Sequence, residues 1–272
     1  PWNAVVVKKL RKGITALQAD MKAMNNRIRQ YEAYKHVSTT VQGFSQTLPL
    51  IQDLRSDALK ERHWKELLSP RVLAVAIPLS DITLGTLWNG DLQRHEAAVK
   101  DIIRTAQGEM ALEEFLNQVR QQWTEYELEL VNFQNRCRLI RGWGDIFDKL
   151  DDNLGSLATM SHSPFYHVFA ETATTWTDRL TALRVILFTW IDVQRKWVYL
   201  QGIFFGSADI KQQLPKEFGR FKTIDNDFVA LMRKVSYKPA ILEVAAMPNL
   251  QRQLERQDDL LNKIQKALGE YL

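Results

Sequence analysis

The sequence predicts a mainly α protein, an elongated stack of helical bundles carrying one small β-hairpin at about 125–141. Two observations make it helical and long. Apolar residues recur at alternating steps of three and four over stretches of about 24–33 residues, the period of a helix face. Helices of that size are about 36–50 Å long, close to the full diameter of a compact sphere of this chain, so they must lie nearly side by side. The third observation is a single place, 125–139, where the pattern switches to strict alternation.

Taken in order, Leu10, Ile14, Leu17, Met21, Met24, Ile28 and Tyr31 keep the spacing of a bundle seam, predicting a long first helix over about 4–36. Ser38-Thr39-Thr40 and Gly43 interrupt it, and Pro49 then stands where a first-turn proline is tolerated, opening a second helix over about 49–68. Pro70 and Pro78 bracket RVLAVAI, an apolar run compatible with a strand or a packed loop. Helix resumes after Thr83, as two helices or one interrupted near Gly108, with Leu112, Leu116, Val119 and Trp123 facing inward.

The alternation follows. Glu125, Glu127 and Glu129 alternate with Tyr126, Leu128 and Leu130, and beyond a polar turn Arg136 and Arg138 alternate with Cys137 and Leu139. Opposed Glu and Arg rows predict cross-strand pairs worth ~0.2–1 kcal/mol each. Trp123, Tyr126, Leu130, Phe133 and Cys137 also keep helical spacing, which leaves a helix as the alternative.

Gly142-Trp143-Gly144 opens a short helix, and SHSPFYHVF is a loop feeding the central helix, 176–205. That helix has two apolar stripes. Trp176, Leu180, Leu183, Leu187, Trp190, Trp197 and Phe204 form one, Ile186, Val193 and Leu200 the other, so it is expected to be surrounded by helices. Asp178, Arg184, Asp192, Arg195 and Lys196 form its solvated edge. Gly206 ends it, Ser207 caps a short helix through Leu214, and Pro215 starts another with Phe218, Phe221, Phe228 and Leu231 inward. The last helix carries Leu250, Leu254, Leu261, Ile264, Leu268 and Tyr271. The large core residues expected are Trp64, Trp123, Trp176, Leu183, Leu187, Trp190, Trp197 and Phe204.

Composition narrows the function. A 272-residue chain that is 45% apolar has an ample core and is not expected to be disordered. A net charge of +4 does not point to nucleic acid, and no run approaches the ~20 apolar residues of a membrane span. The lone Cys137 excludes an internal disulfide and fits a reducing, cytosolic setting. A start at Pro1, without a signal peptide, points to a piece of something longer.

The search for chemistry finds little. No GxxxxGK[ST] string is present to cradle phosphates, so no nucleotide site is expected. His162 and His167, in a loop without supporting acids, read as packing or surface histidines rather than metal ligands. Cys137 reads as a small packed residue rather than a nucleophile. The basic run Lys8, Lys9, Arg11, Lys12 could meet an anionic surface but reads as a solvated helix face. Eight tryptophans fall largely on apolar stripes, as core rather than as a ligand cage. Catalytic, cofactor and metal sites are all expected to be absent from this chain.

Four stretches carry a resemblance: LPLIQDLRSDALKERHWKELL at 48–68, ITLGTLWNGDLQRHEAAVKDI at 82–102, WIDVQRKWVYLQGIFFGSADIKQQLPKEFGRF at 190–221 and LLNKIQKALGEYL at 260–272. They resemble the linker region of dynein heavy chains, the cytoplasmic more than the axonemal ones, over nearly the whole chain and most weakly before about Gly43. The resemblance implies the tail-side part of a mechanical linker, a helical rod lying across a ring of AAA+ modules and joining it to the cargo-binding tail. It implies ATP and Mg in the ring rather than here, and the ring of the same heavy chain and a second heavy chain in a homodimer as partners. Microtubules and cargo adaptors would be reached only through other parts, with no nucleic acid and no membrane, in a cytoplasmic, microtubule-associated setting. Residues 1–45 would lead in from the tail, with bundles at 46–160 and, around the central helix and truncated at its C-terminal end, at 161–272. The alternative is a non-motor helical scaffold or tether of spectrin type, which should show a fixed repeat; none is visible between 1–140 and 141–272.

Overall fold

The computed structural model describes residues 1–271. Eleven α-helices and one two-stranded antiparallel sheet are present among them. The chain divides into two compact units, 1–112 and 113–272, and the division falls inside one helix, Glu96–Glu125.

In the first unit, α1 (Val7–Ala23) and α2 (Glu32–Leu54) form a helical hairpin. The single helix expected over 4–36 is therefore two. Asn25 Oδ1 takes the Arg27 N–H at 3.0 Å and Arg29 Nε donates to the Met24 carbonyl at 3.1 Å, so local polar groups satisfy the turn that replaces the helix. The seam is correspondingly open: Met21 is buried, but Leu17, Met24, Ile28 and Tyr31 are exposed. Tyr34 donates its hydroxyl to the Met21 carbonyl at 3.1 Å and so closes α2 back onto α1.

The expected break at 38–43 is absent as well. Thr39 and Thr40 donate to the carbonyls of Lys35 and His36, both at 2.9 Å, which keeps polar side chains inside a helix without opening it. α2 then runs through Pro49, which lies on its exposed face, and ends at Leu54; α3 (Glu61–Leu68) is separate. RVLAVAI is a loop: the amides of Leu73, Ala74 and Val75 fold back onto the carbonyls of Leu67, Ser69 and Leu68, with Ala74 at a positive φ of 52°. α4 (Leu84–Asn89) and α5 (Glu96–Glu125) follow, α5 passing uninterrupted through Gly108. The core of this unit is aliphatic, built on Leu50, Leu54, Leu67, Leu87, Val99 and Ile103, and closed by Trp2, whose ring meets Trp64 edge-on at 5.5 Å.

In the second unit, β1 (Leu130–Phe133) and β2 (Cys137–Ile140) form the expected hairpin. Its turn has Gln134 and Asn135 both in the left-handed region, with the Arg136 amide donating to the Phe133 carbonyl, a geometry matched to strand twist. The expected charge pairing is wrong. Glu125 ends α5, and Glu127 lies in a bridge with Ala240, because the chain before the hairpin pairs with the segment after a later helix. Arg138 stands opposite Asn132, and the ion pair that does form joins Glu129 to Arg141.

α6 (Trp143–Met160) leads through a 3₁₀ turn to α7 (Ala170–Gly206), 37 residues and about 55 Å long. α8 (Ala208–Gln213), α9 (Pro215–Tyr237), α10 (Ile241–Ala245) and α11 (Leu250–Tyr271) complete the unit. α7 packs against α6, α8, α9 and α11. Every residue of its two apolar stripes is buried.

Candidate functional site

Within the second unit, polar side chains fasten the hairpin to α7 at three levels. Gln194 places its amide against Ile140: Oε1 accepts the Ile140 N–H at 3.1 Å and Nε2 donates to its carbonyl at 2.8 Å. A side chain thus takes the place of a third strand on an edge that would otherwise bury unpaired backbone groups. One level toward the turn, Asp225 of α9 is 2% exposed and accepts from Trp197 Nε1 at 3.1 Å and from Arg136 Nη2 at 2.6 Å, tying three elements together. At the tip, Gln201 Nε2 donates to Gln134 Oε1 at 2.8 Å. Aromatic rings fill the space between: Trp197 lies 5.3 Å from Phe133 and 4.7 Å from Phe228.

Electrostatics follow the same contacts. The hydrogen bond to Asp225 holds the Arg136 guanidinium proton more tightly than usual. Burial pushes the Cys137 thiol up, with nearby Asp225 adding to the effect and Arg136 and Arg233 opposing it. A thiol held protonated is a poor nucleophile, and its surroundings are those of a packed side chain.

The first unit holds a second buried polar node. Glu109, 4% exposed, accepts from Arg62 Nε at 2.8 Å and meets His63 Nε2 at 3.0 Å. His63 Nδ1 accepts the Lys60 N–H at 3.0 Å, which leaves Nε2 to carry the proton donated to Glu109.

Of the residues expected in the core, Trp123, Trp190, Trp197 and Phe204 are fully buried, Trp176, Leu183 and Leu187 are buried, and Trp64 is half-buried against Trp2. His162 Nδ1 lies 3.0 Å from the Ala158 carbonyl, closing the end of α6. No group of three or more His, Cys, Asp or Glu able to hold a metal occurs among the described residues. Likewise, no described helix is long and apolar enough to cross a membrane. The polar residues the sequence reading passed over share one signal: Gln194, Gln201, Asp225 and Glu109 each stand on an apolar stripe, three or four residues from buried neighbours. A polar side chain at such a position must find a partner inside the fold.

Fold and site together define a helical-bundle protein whose buried polar groups fasten secondary elements to one another. The family model described as "Dynein heavy chain, N-terminal region 2" matches residues 1–272, and the chain belongs to this dynein heavy chain family. Over 272 residues it is 52% identical to the cytoplasmic dynein heavy chain of Drosophila melanogaster, and over 271 residues 49% identical to that of Dictyostelium discoideum. It is 29% identical over 276 residues to dynein axonemal heavy chain 10 of Homo sapiens. Each match covers 100% of this chain but only 6% of the relative's length.

Proposed function

We infer that the chain is the tail-side half of the mechanical linker of a cytoplasmic dynein heavy chain, carrying a conformational change driven by ATP in an AAA+ ring toward the cargo-binding tail. The observation that supports this most directly is α7: a 37-residue helix enclosed by four others, with a hairpin fastened along it by Gln194, Asp225 and Gln201. A lever must resist deformation between its ends, and a long helix with buried contacts on two faces plus directional hydrogen bonds has few soft modes. In this reading the segment binds no nucleotide and catalyses nothing. ATP and Mg act in the ring of the same chain, a second heavy chain completes a homodimer, and the setting is cytoplasmic and microtubule-associated. The closer match to cytoplasmic than to axonemal relatives supports the choice of class.

The test separates stiffness from chemistry. Leu183 and Leu187 are 2% and 1% exposed neighbours on the α7 seam. Replacing both with alanine costs ~4–10 kcal/mol of local packing. In a full motor carrying the pair, microtubule gliding velocity and stall force are expected to fall several-fold while ATP turnover keeps a larger share of its wild-type rate. Circular dichroism confirms that the segment stays folded. Strictly proportional losses, or no change in either activity, would overturn the lever reading.

A further inference from the structure

The α1–α2 hairpin leaves a bundle seam without a third helix. α1 packs chiefly on α2, and Met21 is its one buried residue. Beyond it Met24, Ile28, Tyr31 and Val37 are 42–66% exposed, and with Met21 and Tyr34 they line an open groove of about 320 Å³ whose walls are almost wholly apolar. Large apolar side chains gathered at the surface in this way mark a place where another surface docks.

The charge of the chain is concentrated on the same hairpin. Residues 1–43 hold eight Lys and Arg against two Asp and Glu, a net +6, whereas 44–272 hold 28 against 30, a net −2. All ten charged residues of the hairpin are exposed. Lys22 and Arg27, next in sequence to the groove residues Met21 and Ile28, make no ion pair among the described residues. Arg29 donates to the Met24 carbonyl at 3.1 Å and so holds the turn that walls the groove.

We propose that this groove docks an amphipathic helix with acidic flanks, presented by a separate protein. An open seam between two helices receives a third helix whose apolar residues recur at steps of three and four. Met21 and Met24 supply walls that adapt to those side chains. The basic surround then selects a helix with Asp and Glu beside its apolar stripe, and speeds its approach. A second copy of the hairpin would set +6 against +6. A bilayer surface takes apolar side chains that protrude, whereas this patch is concave and takes them in.

The probe is a fluorescent peptide of about 18 residues with Leu at helical spacing and Glu on both flanks, titrated into the 272-residue chain. Saturable binding is expected, weakened fivefold or more when Gln replaces each Glu of the peptide. Lys22→Glu with Arg27→Glu, and separately Ile28→Ser with Val37→Ser, are each expected to weaken binding tenfold or more with an unchanged circular dichroism spectrum, since all four side chains are exposed. The full heavy chain is expected to bind the peptide as the 272-residue chain does. Absence of saturable binding overturns the proposal, as does equal affinity of the Gln peptide or unchanged affinity in either double variant. Loss of binding in the full heavy chain would show that another part of that chain fills the groove, and overturns it too. So does self-association of the 272-residue chain, or its pelleting with phosphatidylserine vesicles, where Ile28→Ser with Val37→Ser abolishes it.

Discussion

Gln194 hydrogen-bonds both the N–H and the C=O of Ile140, at 3.1 and 2.8 Å, so one helical side chain completes the edge of a strand 54 residues away in sequence. Gln194→Leu keeps the bulk and removes both bonds, leaving two backbone groups unpaired where both partners are buried. At ~1–3 kcal/mol per unmatched group, unfolding free energy is expected to fall by roughly 2–6 kcal/mol. A urea titration showing a loss below about 0.5 kcal/mol would mean that water replaces the amide there.

Trp190 and Trp197 are both fully buried, but only Trp197 has a partner for its indole N–H. Replacing either with alanine is expected to cost ~3–5 kcal/mol in cavity and lost burial. Replacement with phenylalanine separates them. Trp197→Phe deprives Asp225 of a donor, whereas Trp190→Phe removes an N–H that had no partner, so Trp197→Phe is expected to cost about 1–2 kcal/mol more. Equal costs in denaturant titrations would show that the Asp225 contact adds nothing.

The position of Arg136 makes a coupling prediction. Its partner is Asp225, 3% exposed at the side chain, at 2.6 Å. A double-mutant cycle of Arg136→Met and Asp225→Asn is expected to give a coupling above about 1 kcal/mol. The corresponding cycle of Glu127→Lys with Arg136 or Arg138 is expected to give none, since neither arginine stands opposite Glu127.

Two groups in the second unit set an alkaline limit. Burial raises the Cys137 thiol above its ordinary 9.0, and burial together with Asp145 and Glu129 raises Tyr126 above 10.0. Both are neutral when protonated, and in both the folded value lies above the unfolded one. Their contribution is therefore complete below the unfolded values and is lost as pH rises through the folded ones. Stability followed by urea titration is expected to be flat through neutral pH and to decline from about pH 9. The decline should be shallower in Cys137→Ala, and an identical decline there would remove Cys137 from the account.

The parts of the fold that were legible in sequence are those where burial and period coincide. The α7 stripes from Trp176 to Phe204 read directly because four helices surround them, and the hairpin at 130–140 read from its alternation. The region 1–68 misled because its cues point both ways. The seam spacing from Leu10 to Tyr31 continues across a turn whose determinants are Asn25 and Arg29, residues with no strong periodic signature. Thr39 and Thr40 look like breakers but bond back into their own helix. For the fastening site, the positions of Gln194 and Asp225 on apolar stripes were visible, but their partners were not. Ile140 and Arg136 are 54 and 89 residues distant, and only the tertiary fold brings them together.

The bond between Gln194 and Ile140 also sets what the hairpin can tolerate over generations of sequence change. Gln194 hydrogen-bonds main-chain atoms of Ile140, so those two bonds do not depend on the side chain at 140. Strand backbone groups alternate sides, and the Arg141 amide next door already points back to the Glu129 carbonyl at 2.9 Å. Inserting or deleting one residue between Phe133 and Cys137 would turn the wrong backbone edge toward α7. The length of this turn is therefore as much a part of the fastening as Gln134 and Arg136 within it, whose side chains meet Gln201 and Asp225.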